Sequence, residues 1–211
     1  PGRVSIRGDD ALADVLSWTL PEADIDQPAR ARASARRALA NGDLFETGES
    51  AIPLLLALRK LEPDNAQNAR LLEKARAALL AQAWMALDAG DDLASLRYAQ
   101  RHGTVLRTLW PELPEAKTYL EAVDRAGQAF DLCLAGERAL RSGNLDAPGG
   151  ALDLFRRAQA LWPLQARAQR GIAAVESAVL MEAQALAAGG DFEGAYAELA
   201  RAGKVRNDPE A

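Results

Sequence analysis

Helical patterning in this chain is cut at Gly42, Gly90, Gly143 and Gly190, roughly fifty residues apart, and each interval holds one long and one short amphipathic stretch. Short connections force neighbouring helices antiparallel, and a helix pair that cannot bury its own apolar face needs the next pair to cover it. The stretch Gly143 to Pro163 carries the clearest version of this punctuation: a glycine stop, a loop, then Ala151, Phe155, Ala158 and Pro163. It recurs about one hundred residues upstream, where Gly42 leads to Ala51, Leu55, Leu58 and Pro63, and the offset holds to Gly90 and Gly190.

In chain order, residues 1–27 read as an extended arm containing Val4, Ser5 and Ile6, then a short helix capped by Asp9-Asp10 that carries Leu12, Val15, Leu16 and Trp18, then a linker. Pro28 suits the first turn of a helix that ends at Asn41-Gly42, because its missing N–H would be unpaired there anyway. After the loop Asp43 to Glu49, Ser50 is placed to cap a short helix closed by Pro63, with Pro53 tolerated in its first turn. A longer helix from Asp64 to Gly90 carries Leu71, Leu72, Ala75, Leu79, Leu80, Ala83 and Leu87 at helical intervals. The cycle continues with a helix from Leu93 to Leu109 weakened by Gly103, one from 114 to 142, a loop Asn144 to Gly150, and further helices from 164 to 188 and from Phe192 through Ala202. The hairpins expected are 28–62, 64–110, 114–162 and 164–203 within a repeat domain 28–205, and 206–211 reads as the start of another repeat, cut short.

Composition supports helix throughout. Ala, Leu and Arg dominate while β-branched residues are scarce, so little side-chain freedom is lost on winding. Lys plus Arg number 25 against 30 Asp plus Glu, a formal charge of −5, the wrong sign for general nucleic-acid binding. Cys133 is the only cysteine, which excludes an intramolecular disulfide. No apolar run is expected to reach the ~18 to 20 residues of a membrane span, so no direct membrane insertion is expected.

Gly190-Asp191-Phe192-Glu193-Gly194-Ala195-Tyr196-Ala197-Glu198-Leu199-Ala200-Arg201-Ala202 resembles the hairpin centre and second helix of the tetratricopeptide repeat. Ala151, Phe155, Ala158 and Pro163 match the small, aromatic, small, proline series of that second helix, and Ala135-Gly136 resembles the small pair midway along the first. The resemblance implies an all-α fold of antiparallel helical hairpins stacked as a TPR-like α-solenoid, with first helices lengthened and two hairpin loops extended. It implies a non-catalytic scaffold that binds a protein or peptide segment on its concave face. Similar segments also stand beside effector domains in bacterial envelope proteins. The alternative is therefore a sensory or regulatory segment of a larger protein, in periplasm or envelope, whose kinase-like or formylglycine-generating-enzyme-like domain lies outside this chain.

Carried over by distance from the glycine stops, the groove residues expected are Arg32, Arg36, Trp84, Asp88, Glu137 and Arg141, an aromatic set among mixed charges. Trp110 and Trp162 sit at equivalent turns and are read as staples between hairpins. Catalytic raw material is poor. His102 is the sole histidine and is read as a solvated helix residue; Cys133, between Leu132 and Leu134, is read as a buried inert thiol. Asp43, Asp91 and Asp191 after the glycines are read as helix caps, and no catalytic residue, cofactor or metal is expected.

Overall fold

The computed structural model describes residues 27–90 and 92–207. The expected N-terminal arm and helix, the cap at Asp91 and the end of the final segment lie outside the described residues. The fold is all-α. Eight helices run in order: α1 Pro28–Ala40, α2 Ala51–Leu61, α3 Ala66–Asp88, α4 Leu93–Leu109, α5 Pro114–Arg141, α6 Ala151–Leu161, α7 Ala166–Ala188 and α8 Phe192–Asn207. Helices α2 and α6, and α3 and α7, begin and end at positions one hundred residues apart, so the internal repetition of the sequence is reproduced at helix boundaries. Two compact units are formed, Pro1–Ala89 with Ala94–Val123, and Gly90–Leu93 with Asp124–Ala211.

In the first unit α1 packs on both α2 and α3, and α2 packs on α3. The core is Ala31 and Ala35 of α1, almost the whole first two turns of α2, and Leu72, Ala75, Leu79, Ala83 and Leu87 of α3, with Leu71 and Leu80 only half-buried. Asn65, one residue after the expected start, caps α3: its Oδ1 accepts from the N–H groups of Gln67 (2.9 Å) and Asn68 (3.3 Å). Leu96, Ala99, Val105 and Leu106 of α4 and Ala116, Tyr119, Ala122 and Val123 of α5 extend the core. Gly103, read as a weak point in α4, instead marks close approach: a β-carbon there would stand 2.7 Å from Cδ2 of Leu120.

In the second unit α6 packs on α7 and α7 on α8, around Phe130, Cys133, Phe155, Val175, Val179 and Ala183. Trp162 closes α6 with its N–H on the Ala158 carbonyl (3.0 Å) and is buried; Trp110 is half-buried. By length and composition α7 is apolar enough to cross a bilayer, contrary to the sequence reading, because its many alanines raise the mean hydropathy. One side of it, Ala168, Gly171, Val175, Val179 and Ala183, is buried in this unit.

The two long loops obey one backbone rule. Gly42 and Gly143 take positive φ (75° each), and the next N–H, Asp43 or Asn144, returns to the carbonyl of Ala38 or Ala139 at 2.9 and 3.0 Å. The chain then doubles back so that its own carbonyls satisfy the first N–H groups of the following helix: Ala51 to Asp43 and Ile52 to Leu44, Ala151 to Asn144 and Leu152 to Leu145, all within 2.9–3.0 Å. Leu44 and Leu145 are buried beneath the loops. Capping of α2 is therefore by backbone, and Ser50 does something other than expected: fully buried, its Oγ accepts from the Thr47 N–H (3.0 Å) and donates to Asp43 Oδ1, bracing the loop across its neck. Asp191 does cap its helix, accepting from the Gly194 N–H at 2.9 Å.

Candidate functional site

Helix α1 is anchored by Arg32. Its Nε donates to Asn68 Oδ1 at 2.8 Å and its Nη2 pairs with Glu62, which also accepts from Asn65 (2.8 Å) and Asn68 (3.0 Å). Burial alone would raise the Glu62 carboxyl, but the hydrogen bonds from Asn68 and Arg32 outweigh it and hold the group below the ordinary carboxylate range. Arg32 thus ties α1 to the α2–α3 turn. One turn further along α1, Arg36 is exposed and lines a groove of about 480 Å³ with Ala66, Gln67, Arg70, Leu71 and Lys74 of α3. Three cations around one half-buried leucine form a surface suited to a segment that offers carboxylates and an apolar side chain.

The other expected residues fall into two local groups. In the first unit the Trp84 ring stands edge-on to Tyr119, centroids 5.2 Å apart at 82°, and the Tyr119 hydroxyl donates to the Ala99 carbonyl at 2.8 Å. The Tyr119 hydroxyl is pushed well above its ordinary pKa by burial and by the nearby carboxylate of exposed Asp88. Trp84 is therefore half-buried packing as well as surface. In the second unit Arg167 grips Glu137 through two bonds, 2.5 Å from Nε and 3.0 Å from Nη2, while its guanidinium lies 5.0 Å from the Phe130 ring centroid. The Arg167 hydrogen bonds lower the Glu137 pKa, with Arg141 adding its field from an exposed position nearby.

Sequence reasoning did not single out Gln67, Arg70 and Lys74. Their signal was available as a polar stripe at helical spacing, beside the apolar series Leu72, Ala75 and Leu79, and Leu71 was assigned to the core. A second hollow of about 490 Å³ in the second unit is lined by Glu182, Ala185, Leu186, Gly189, Asp191 and Glu198, but Arg201 already holds Glu182 (3.2 Å) and Glu198 (2.8 Å).

Cys133 is buried and its thiol is pushed up to about 11 by that burial, so little thiolate forms near neutral pH. His102 departs from the sequence reading. It is completely buried, edge-on to Phe45 (4.9 Å) and Tyr98 (4.5 Å), with Nδ1 2.9 Å from the Tyr98 carbonyl and Nε2 without a partner. The reason is the loop: Phe45 folds down onto α4 and covers a ring that α4 alone would leave to solvent. Among the described residues no three His, Cys, Asp or Glu side chains converge as a metal site would require. Compared with family models, curated proteins and solved structures, the chain finds no match.

Proposed function

We propose that this chain is a tetratricopeptide-like, non-catalytic interaction scaffold whose stacked hairpins hold an acidic segment of a partner protein in the groove between α1 and α3. The observation that carries the reading is the lining of that groove by Arg36, Arg70 and Lys74 around Leu71. Support for stacking comes from the α1 contact with α3 across α2, and from the recurrence of helix boundaries at a hundred-residue interval. The segment lies along α3, its carboxylates meeting the two cations of α3 and Arg36, its apolar side chain over Leu71.

A fluorescein-labelled peptide alternating Glu and Leu is the probe. Anisotropy titration should show binding that weakens as salt rises and falls about tenfold or more in Arg70→Glu/Lys74→Glu, with the far-ultraviolet helix signal unchanged. Equal affinity of the folded double variant, or of a Lys/Leu peptide, would remove the groove from consideration.

A further inference from the structure

Equivalent positions in the two units carry opposite charges. Counted back from Gly42 and Gly143, Arg36 of α1 corresponds to Glu137 of α5; counted from Ala66 and Ala166, Gln67 and Arg70 of α3 correspond to Arg167 and Arg170 of α7. In the second unit the cation on α7 has its carboxylate built in, since Arg167 holds Glu137 through two hydrogen bonds of 2.5 and 3.0 Å. In the first unit Arg36 stands where that carboxylate would be. The groove there gathers Arg36, Arg70 and Lys74 around Leu71, and none of the three cations takes part in an ion pair among the described residues. The missing carboxylate has to come from another part of the sequence or from another molecule.

The same chain carries one within reach. Residues 8–26, outside the described residues, hold six carboxylates, Asp9, Asp10, Asp14, Glu22, Asp24 and Asp26, and no Lys or Arg. They lead directly into α1, which is one wall of the groove. At ~1.5 Å per residue Arg36 lies roughly 13 Å along α1 from Gln27, and a chain rising ~3.3 Å per residue carries Glu22 about 16 Å from the same point. Asp26 is too close to Gln27 to come level with Arg36. Glu22 reaches it, and Leu20 extends far enough to meet Leu71.

We infer that the groove's resting occupant is the segment Leu20-Pro21-Glu22-Ala23-Asp24 of this same chain, turned back along α1 with its carboxylates on Arg36 and Arg70 and Leu20 over Leu71. The inference rests on the reading of the groove as a carboxylate-binding surface and adds its regulation: a partner's acidic segment has to displace the internal one. Tethering favours the internal segment over a foreign one of equal chemistry. A connection of a few residues holds it at an effective concentration in the millimolar range, so a contact as weak as ~1 mM is still formed about half the time.

Two measurements on the 211-residue chain test this. In amide correlation spectra, Glu22→Gln/Asp24→Asn should move the signals of Gln67, Arg70, Leu71 and Lys74, and about 0.5 M salt should move the wild-type signals toward the variant's positions. Unmoved groove signals in the variant would overturn the inference. The fluorescein-labelled Glu/Leu peptide should bind the variant about three- to tenfold more tightly than wild type, because its competitor is gone. Equal affinity for both, abolished in each by Arg70→Glu/Lys74→Glu, would overturn the internal occupant while leaving the groove as a partner site. Groove signals that move in a variant to which the peptide still does not bind would support the internal occupant and overturn the partner reading.

Discussion

A β-carbon at Gly171 would stand 2.4 Å from Cε1 of Phe155, well inside van der Waals contact. Gly136 closes on the same edge of the ring, where a β-carbon would lie 2.8 Å from Cε1, and the ring is completely buried. Two glycines on α5 and α7 therefore let both helices close on one edge of a phenylalanine carried by α6. In an open helix interior Gly→Ala stabilises by about 1 kcal/mol. At Gly171 the sign should reverse, because overpacking costs about 1–3 kcal/mol and the trapped ring has little room to turn. Gly127, in α5 with nothing near its missing β-carbon, is the matched control. Urea denaturation should rank Gly127→Ala above wild type and Gly171→Ala below it. Two variants of equal stability would mean that the contact at Phe155 is not tight.

The Ser50 brace should be worth more than an ordinary surface hydrogen bond. Replacing it with Ala leaves the Thr47 N–H and one Asp43 oxygen to find other partners, at a cost of about 1–2 kcal/mol. Hydrogen exchange should quicken at Ala51 and Ile52, whose N–H groups depend on the loop holding the carbonyls of Asp43 and Leu44 in place. Faster exchange spread evenly over α3 instead would point to global destabilisation.

Much of the scaffold was legible in the residues, and its loops were not. Helix boundaries follow from glycine stops, Pro28, Pro53 and Pro63, and the apolar spacing of α3 and α7, all local signals. What decides His102 is Phe45, more than fifty residues away and on a loop whose course depends on backbone hydrogen bonds. No periodicity on α4 reports that. Arg32 was likewise expected on a binding face by its distance from Gly42; its environment is set by Glu62 and Asn68 from the next turn and helix. Arg36, one helical turn on, meets the groove because α3 opposite it presents Arg70 and Lys74. Side-chain roles at a helix surface are settled by the neighbouring element, which one helix's sequence does not name.

Trp84 and Tyr119 should prove energetically coupled. Their edge-to-face contact predicts an interaction of about 0.5–1.5 kcal/mol in a double-mutant cycle of Trp84→Leu and Tyr119→Leu. Tyr119→Phe alone should cost about 0.5–1.5 kcal/mol for the bond to the Ala99 carbonyl. Additive single variants would mean that Trp84 faces outward in solution, which would return it to the candidate partner-contacting residues.

His102 gives the chain a pH dependence with a defined sign. The Tyr98 carbonyl can only accept, so Nδ1 carries the proton of the neutral ring and Nε2 is the bare nitrogen, buried and unpartnered. Burial lowers its pKa; the Tyr98 carbonyl and the Glu46 carboxylate oppose that, and Arg101 reinforces it. Between the depressed folded value and the ordinary value of about 6.5 the unfolded chain binds the extra proton, so stability rises with pH there. The contribution is fully present above the unfolded value and is lost as pH falls through the folded one, at a slope of at most about 1.4 kcal/mol per pH unit for one group. The carboxylates with lowered pKa, Glu62, Glu137 and Asp146, lose their contributions only in more acid solution, below the ordinary carboxylate range. Because His102 is the only histidine, urea midpoints between pH 7.5 and pH 5 isolate it. Wild type should weaken across that interval, with exchange rising first in the loop that carries Phe45, and His102→Gln should be nearly flat. A wild-type profile as flat as that of the variant would mean that the ring reaches water or a partner for Nε2, and that Phe45 does not seal it.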